Sequence, residues 1–375
     1  MRRVSMLVLL ACGCGPAVKT GVRPADPPPV ARAPAPPRCT IHERRVSETS
    51  RGSVRPDVAA SGGVFGVVWE ETDETHRGVH FLALDAQANP LGPSVEVADL
   101  ERGGAEPHVV PDGDGFAVLW TVDQPDTSVI VFRRVDGHGK PRSDVLPAIS
   151  SPNARALAAV RLDDGFAVAW WTWSSNPPLE MVTWLDNAGK PRGKPLALAK
   201  GALVEPAVAL ASTGAGARAA WVEQLDGADH VFVAELAPQG VSGRIDLGAG
   251  STPSFALDGV LFANLQDSSV WRTPPAAPRP VKLTDGQSPS AVGSSLCLFR
   301  IAIATGADGT ESSADQLRCL QLDGAKVARD DLVTSAAGGV LTLRLAVAGG
   351  VQAVAYQTEG DERMQVGFAT LQCAK

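Results

Sequence analysis

Between residues 60 and 235 the chain alternates short apolar runs with polar turns, and one apolar phrase returns at a fixed step. It reads Gly62-Gly63-Val64-Phe65-Gly66-Val67-Val68-Trp69, then Gly113-Asp114-Gly115-Phe116-Ala117-Val118-Leu119-Trp120, then Asp164-Gly165-Phe166-Ala167-Val168-Ala169-Trp170. A weaker copy ends at Trp221, so successive tryptophans lie 51, 50 and 51 residues apart. Asp85, Asp136 and Asp186 keep that register, as do Pro90, Pro141 and Pro191, each set stepping by 51 and 50, while Pro56 and Pro107 differ by 51. The runs are short and bounded by Gly, Asp and Pro, which predicts strands; their near-continuous apolarity suits strands covered on both faces.

Each period holds four such runs. In the second copy they are His108 to Val110, Phe116 to Trp120, Val129 to Val135 and Val145 to Ile149. A four-stranded unit with a period near 50 cannot bury both faces until neighbours stack against it, and this predicts a blade of a β-propeller. After Trp221 the pattern weakens but three more units are countable, around Phe255 to Trp271, Ser295 to Leu322 and Leu341 to Leu371. The fold expected is a single all-β, seven-bladed propeller of four-stranded antiparallel blades, with six or eight blades as the neighbouring counts. The last unit lacks a fourth strand, and Thr40 to Val46, ahead of the first unit, is free to supply it and close the ring.

The cysteines fit that closure. Among 6 Cys, four fall inside the expected propeller at positions 39, 297, 319 and 373. Cys373 ends the third strand of the last blade and Cys39 opens its expected fourth strand, so a disulfide there locks the ring. Cys297 and Cys319 fall in adjacent strands of the sixth unit, joined by a long loop from Ala304 to Gln316, and supply a second pair. Both bonds require an oxidising compartment. Free buried thiols or a metal site are the alternatives, but no Cys-x-x-Cys pair or His cluster accompanies them.

The N-terminus explains the compartment. Arg2 and Arg3 precede an apolar run from Val4 to Ala11, which as a helix spans only about 12 Å of a hydrocarbon core about 30 Å thick, so residues 1–11 are expected to be a signal peptide rather than a membrane span. Leu9-Leu10-Ala11-Cys12 resembles the lipobox of bacterial lipoproteins, which implies that Cys12 carries lipid. In Gram-negative lipoproteins an Asp after that Cys favours the inner membrane; Gly13 stands here, so the resemblance implies the outer membrane. Residues 15–38 hold eight prolines and almost no large apolar side chain, and residues 12–38 are expected to form an extended tether between the lipid and a propeller over residues 39–375.

With 41 acidic against 34 basic side chains and a net charge of -7, no global field draws in a polyanion, and nucleic acid is excluded as an expected partner. Propellers present ligands on the rim made by the loops entering each innermost strand and those joining the second and third strands. The first kind of loop holds Asp57, Glu106, His108 and Glu205; the second holds Glu70 to Glu74, Trp171-Thr172-Trp173, Glu223, and Asp308 with Glu311 and Asp315. Trp171, Trp173, Glu70, Glu106, Glu205 and Glu223 are therefore the candidate ligand-binding residues, set against the plainer reading of a solvated acidic rim. Trp173 stands out because it lies beyond the repeated Trp position in a polar loop. Glu106 and Glu205 are the weak catalytic candidates, as acid and base of a glycoside-cleaving pair.

Asp112-Gly113-Asp114-Gly115 has a trace of a calcium loop, but Asp-Gly is the ordinary chemistry of a tight turn and the bidentate acid of an EF-hand is absent; no cofactor or metal is expected. The sequence contains no HExxH, GxSxG or phosphate-cradling GxxxxGK[ST] motif. The Phe-x-Val-x-Trp unit, followed by Leu-Asp, a Gly turn and Pro-x-Gly, resembles the repeats of extracellular bacterial propeller proteins. It departs from the sialidase Asp-box, since five positions separate Gly115 from Trp120. The resemblance implies a fold and an exterior location and transfers no activity. The function expected is a monomeric, lipid-anchored, non-enzymatic binding module for an envelope protein or polysaccharide, with a polysaccharide hydrolase or lyase as the alternative.

Overall fold

The computed structural model describes residues 39–47, 51–73, 77–98, 103–174, 178–200, 207–256, 259–273, 279–305, 310–324, 326–336, 339–360 and 363–373. Among them every regular element is a strand, and the strands form seven four-stranded antiparallel sheets. From the axis outward, blade 1 is Gly52–Ser61, Val64–Thr72, Arg77–Leu84 and Val95–Glu96. Blade 2 is Ala105–Asp112, Gly115–Asp123, Ser128–Val135 and Leu146–Ser151; blade 3 is Arg155–Leu162, Gly165–Thr172, Leu179–Asp186 and Pro191–Lys200. Blades 4, 5 and 6 begin with Val208–Ser212, Ser251–Ala256 and Gln287–Val292. Each innermost strand packs against the innermost strands of the blades on either side, and Val340–Ala348 of blade 7 packs against Gly52–Ser61 of blade 1, which closes the ring.

Period-two alternation explains the repeated phrase. Phe65, Val67 and Trp69 share one face of their strand and pack back onto blade 7; Phe116, Val118 and Trp120 pack back onto blade 1; Phe166, Val168 and Trp170 onto blade 2. The intervening Val68, then Ala117 and Leu119, then Ala167 and Ala169, face the next blade. Each repeated Phe meets an aromatic ring on the third strand of the preceding blade: Phe65 with Phe368 at 6.1 Å, Phe116 with Phe81 at 5.5 Å and Phe166 with Phe132 at 5.2 Å between centroids. The tilted and edge-on geometries match the quadrupole preference of such pairs.

The Asp and Pro markers belong to the turn between the third and fourth strands. Asp85, Asp136 and Asp186 each accept two backbone N–H bonds through Oδ1 at 2.8 to 2.9 Å, from residues two and four positions on, which folds the turn onto the carboxylate. Gly139 and Gly189 occupy left-handed positions in these turns, and a Cβ at either would lie 2.5 Å and 2.4 Å from Phe81 and Phe132. The turn of one blade is thereby seated on the aromatic ring of the blade before it.

Strand direction defines two rims. The turns joining first to second strands, and third to fourth, lie on the lower rim; the loops entering the innermost strands, and those joining second to third, lie on the upper rim. In blade 7, Thr40–Arg45 pairs antiparallel with Met364–Gln372, Thr40 opposite Gln372 and Arg45 opposite Gly367, so the chain's first strand completes its last sheet. Cys39 and Cys373 form a disulfide at the lower end of this seam, and Cys297 and Cys319, opposite each other in blade 6, form a second. The loop expected over Ala304 to Gln316 is shortened at both ends, because Ser295–Thr305 and Glu311–Asp323 continue as a paired hairpin, Ile301 opposite Asp315 and Ile303 opposite Ser313. The alternating Ile-Ala run 301–304 keeps the backbone extended as far as Thr305.

The seating of turn on ring predicts a specific asymmetry between two glycines of blade 3. Gly193 is also left-handed but has open space where an added methyl would stand, so Gly193→Ala carries only the backbone penalty of about 1–2 kcal/mol. Gly189→Ala adds overpacking against Phe132, about 1–3 kcal/mol more. Chemical denaturation of both variants should rank Gly189→Ala as clearly less stable; equal losses would contradict the close packing.

Candidate functional site

The inner edge of the upper rim is built by a repeated bulge. The innermost strands of blades 1, 2, 5 and 6 each lose register at an X-Pro step, and Arg55, Glu106, Thr252 and Ser288 adopt φ of 52°, 52°, 45° and 48° there. Pro56, Pro107, Pro253 and Pro289 sit where the ladder is interrupted and no N–H is needed. This accounts for the Pro56 and Pro107 markers. Non-glycine residues in this backbone region are disfavoured, more so before proline, and here the surrounding blades hold them.

Three arginines and three carboxylates interlock across blades 1 to 3 at this edge. Glu70, only 2 % exposed, accepts from Arg55 Nη1 at 2.9 Å, Arg77 Nε at 2.8 Å and the Glu106 backbone N–H at 3.2 Å. Arg155 donates to Asp123 through Nη1 at 2.6 Å and Nη2 at 3.3 Å, and its Nε lies 3.6 Å from Glu106 Oε2. Burial raises the Glu106 carboxyl above its ordinary value, against the pull of Arg155, Arg55 and His108 and with the neighbouring Glu70 charge adding to it. Burial acts on Asp123 in the same sense, but hydrogen bonds from Ser128 and Arg155 outweigh it and hold that carboxyl low.

The other carboxylates are engaged between blades or within one. Asp57 accepts from the Val109 N–H at 3.1 Å and pairs with His108 at 3.3 Å, joining blades 1 and 2. Glu71 and Glu223 each accept the indole N–H of the Trp two positions before, Trp69 and Trp221, at 3.0 and 2.7 Å. Glu223 also pairs with Arg244 at 3.1 Å. Glu70 and Glu223 are therefore held inside polar networks, whereas Trp173 stands at the surface. Cys12, Glu74, Glu205 and Asp308 lie outside the described residues.

Trp171 and Trp173 come together on the upper rim. Their rings meet edge to face at 5.3 Å and 67°, Trp173 is 52 % exposed, and with Asn153 and Arg155 they line an open depression of about 500 Å³ between blades 2 and 3 on the upper rim. Asn153 and Arg155 were not singled out from the sequence, yet the repeat itself carries a signal for them. Stepping by 51 and 50, Arg155 replaces Val54 and Ala105, and Asn153 replaces Gly103, keeping its left-handed backbone at φ 49°. Trp173 replaces Thr72 and Asp123.

Glu180 is a second departure from the repeat. It stands where Val79 and Ile130 fill the core, is itself fully buried, and neither carboxyl oxygen has a hydrogen-bond partner among the described residues. Burial and then the charge of Glu223 push its carboxyl well above the ordinary value. Among the described residues, the one grouping of three metal-ligating side chains is Cys39, Asp331 and Cys373, whose sulfurs are bonded to each other.

No protein-family model matches the chain, and no curated protein matches it. Among solved structures it is similar to the A subtype N10 neuraminidase-like protein of A/little yellow-shouldered bat/Guatemala/060/2010, with a TM-score of 0.50 and 10 % identity over 90 % of this chain and 99 % of that one. It is also similar to Trypanosoma rangeli sialidase in complex with the inhibitor DANA, with a TM-score of 0.47 and 9 % identity over 88 % of this chain and 57 % of that one. Identities this low speak to the propeller fold alone.

Glu180 makes the pH dependence of stability testable. A native carboxyl raised above its unfolded value binds more protons when folded, so its stability contribution is full below about pH 4 and is lost as pH rises through the elevated native value. Glu180→Gln should flatten the decline in unfolding free energy as pH rises above about pH 4 and stabilise the protein at neutral pH. An unchanged slope would show that Glu180 is ionised and compensated in the native state.

Proposed function

We propose that the chain is a cell-envelope lipoprotein, lipid-anchored at the outer membrane through Cys12, whose propeller acts as a non-enzymatic binding module for an envelope protein or polysaccharide. One observation carries the binding role: a half-exposed indole, Trp173, set beside Trp171 over an open depression on the rim where loops from neighbouring blades converge. Concave surface lined by aromatic side chains with a few polar groups at its edge is the usual form of a ligand site. The anchoring role rests on the lipobox resemblance and the proline-rich run.

A second reading has one observation in its favour. Glu106, with its raised carboxyl beside the Arg-bound Glu70, has the environment of a general acid in a polysaccharide hydrolase or lyase. The two readings divide on a cross-linking experiment with tagged full-length protein in its native cells. The binding module predicts one dominant envelope component that is lost in Trp173→Ala and retained in Glu106→Gln. Capture of nothing by the parent protein, together with polysaccharide cleavage abolished by Glu106→Gln, would replace it with the enzyme. Cys12→Ser should abolish fatty-acid labelling and move the protein from the membrane to the soluble fraction; persistence in the membrane would remove the lipoprotein assignment.

A further inference from the structure

We infer that the depression at Asn153, Arg155, Trp171 and Trp173 takes an uncharged polysaccharide, bound by stacking of a pyranose ring on Trp173. The inference rests on the reading of the upper rim as a binding face and names the ligand class for it.

The charges around the depression are already matched. An arginine beside two tryptophans invites an anionic ligand, but the fork of Arg155 is occupied. Nη1 donates to Asp123, to Ser128 Oγ at 3.0 Å and to the Ala154 carbonyl at 3.1 Å; Nη2 donates to Asp123; Nε faces Glu106. Asp123 also lies 3.7 Å from Arg77, which in turn holds Glu70. The network balances Arg55, Arg77 and Arg155 against Glu70, Glu106 and Asp123 and leaves no net charge for a carboxylate or sulfate to neutralise. An anion would have to displace Asp123 from its two bonds.

The depression is also small. The open space of about 500 Å³ over four side chains leaves room for a few sugar units. A protein partner needs roughly 800 Å² of its own surface covered around a hydrophobic centre. Among the described residues, Trp173 is the one exposed large hydrophobic side chain of blades 2 and 3; the others, such as Leu91, Ile245 and Ile303, belong to other blades. A single flat indole is too little for a protein interface and enough for one ring.

Its lining complements a sugar. A pyranose offers an apolar C–H face to an indole and a rim of hydroxyls that both donate and accept. Trp173 is the exposed face, Trp171 fixes it edge-on from behind, and the exposed Asn153 amide, which makes no hydrogen bond within the described residues, offers a donor and an acceptor at the edge.

The test is titration of the detergent-solubilised full-length protein, followed by calorimetry and tryptophan emission. The probes are hexamers of glucose, mannose, galactose and N-acetylglucosamine alongside uronic-acid hexamers. The inference predicts binding of at least one neutral hexamer, little changed between low and high salt, weakened at least about tenfold by Trp173→Ala, largely restored by Trp173→Phe, and weakened severalfold by Asn153→Ala, with thermal unfolding unaltered in each. Asp123→Asn, which frees the Arg155 charge, should gain uronate binding that the parent lacks. Preference of the parent for uronates, with steep salt dependence, would overturn the ligand class and leave the binding module standing. The same division follows if no hexamer binds while a cross-linked protein is lost in Trp173→Ala. If no hexamer binds and cross-linking is indifferent to Trp173, the site and the proposed function fall together.

Discussion

Every blade is apolar on both broad faces, and the rest of the structure depends on that constraint. A sheet with Phe116, Val118 and Trp120 on one side and Ala117 and Leu119 on the other has no face to give to water. It needs a neighbour on each side, the neighbour needs another, and the series ends only by returning to its start. The Phe pairs at 5.2 to 6.1 Å repeat this contact from blade 7 through blade 3, and the Gly turns at 139 and 189 fit the same rings from below. Closure then falls to blade 7, which borrows Thr40–Arg45 from the other end of the chain and fixes the junction with Cys39 and Cys373.

Ring closure also frees the upper rim. Once burial is settled between blades, the loops of that rim carry little packing duty and can depart from the repeat. The polar groups there divide into two kinds. Glu70, Glu71, Glu223 and Asp57 hold neighbouring blades or buried indoles in place and are drawn out of solvent. Asn153 and Trp173 hold nothing in place and remain at the surface, beside an arginine whose charge is already matched.

Most of the fold was legible because the chain repeats itself. Three copies in one register made the blade legible, three weaker units after Trp221 brought the expected count to seven with six or eight as neighbours, and an unpaired last blade beside a spare first strand pointed to the closure. The hairpin of Ser295–Thr305 with Glu311–Asp323 was less legible, since Ser312 and Ser313 favour a loop and only pairing with the partner strand holds them in the ladder. Sequence reading ranked acidic rim residues alongside the tryptophans because charge at a loop cannot reveal its partner. That Glu223 faces Trp221 and Arg244, or that Arg155 is spent on Asp123, is a fact of three-dimensional contact. The signal that was available lay in departures from the repeat: Arg155 for Ala105, Asn153 for Gly103, Trp173 for Asp123 and Glu180 for Ile130.

The dependence of the whole ring on its seam is open to direct measurement by hydrogen–deuterium exchange on the oxidised and the reduced protein. In the oxidised state the amides of Thr40–Arg45 that pair with Met364–Gln372 should be protected, while the alternate amides on its outer edge exchange, and Met364–Gln372 should be protected throughout. On reduction, exchange should rise first in those two strands and then in Val340–Ala348, before the blades opposite respond. Free exchange of Thr40–Arg45 in the oxidised protein would mean that the N-terminal strand does not complete the last blade and that the ring is held shut elsewhere.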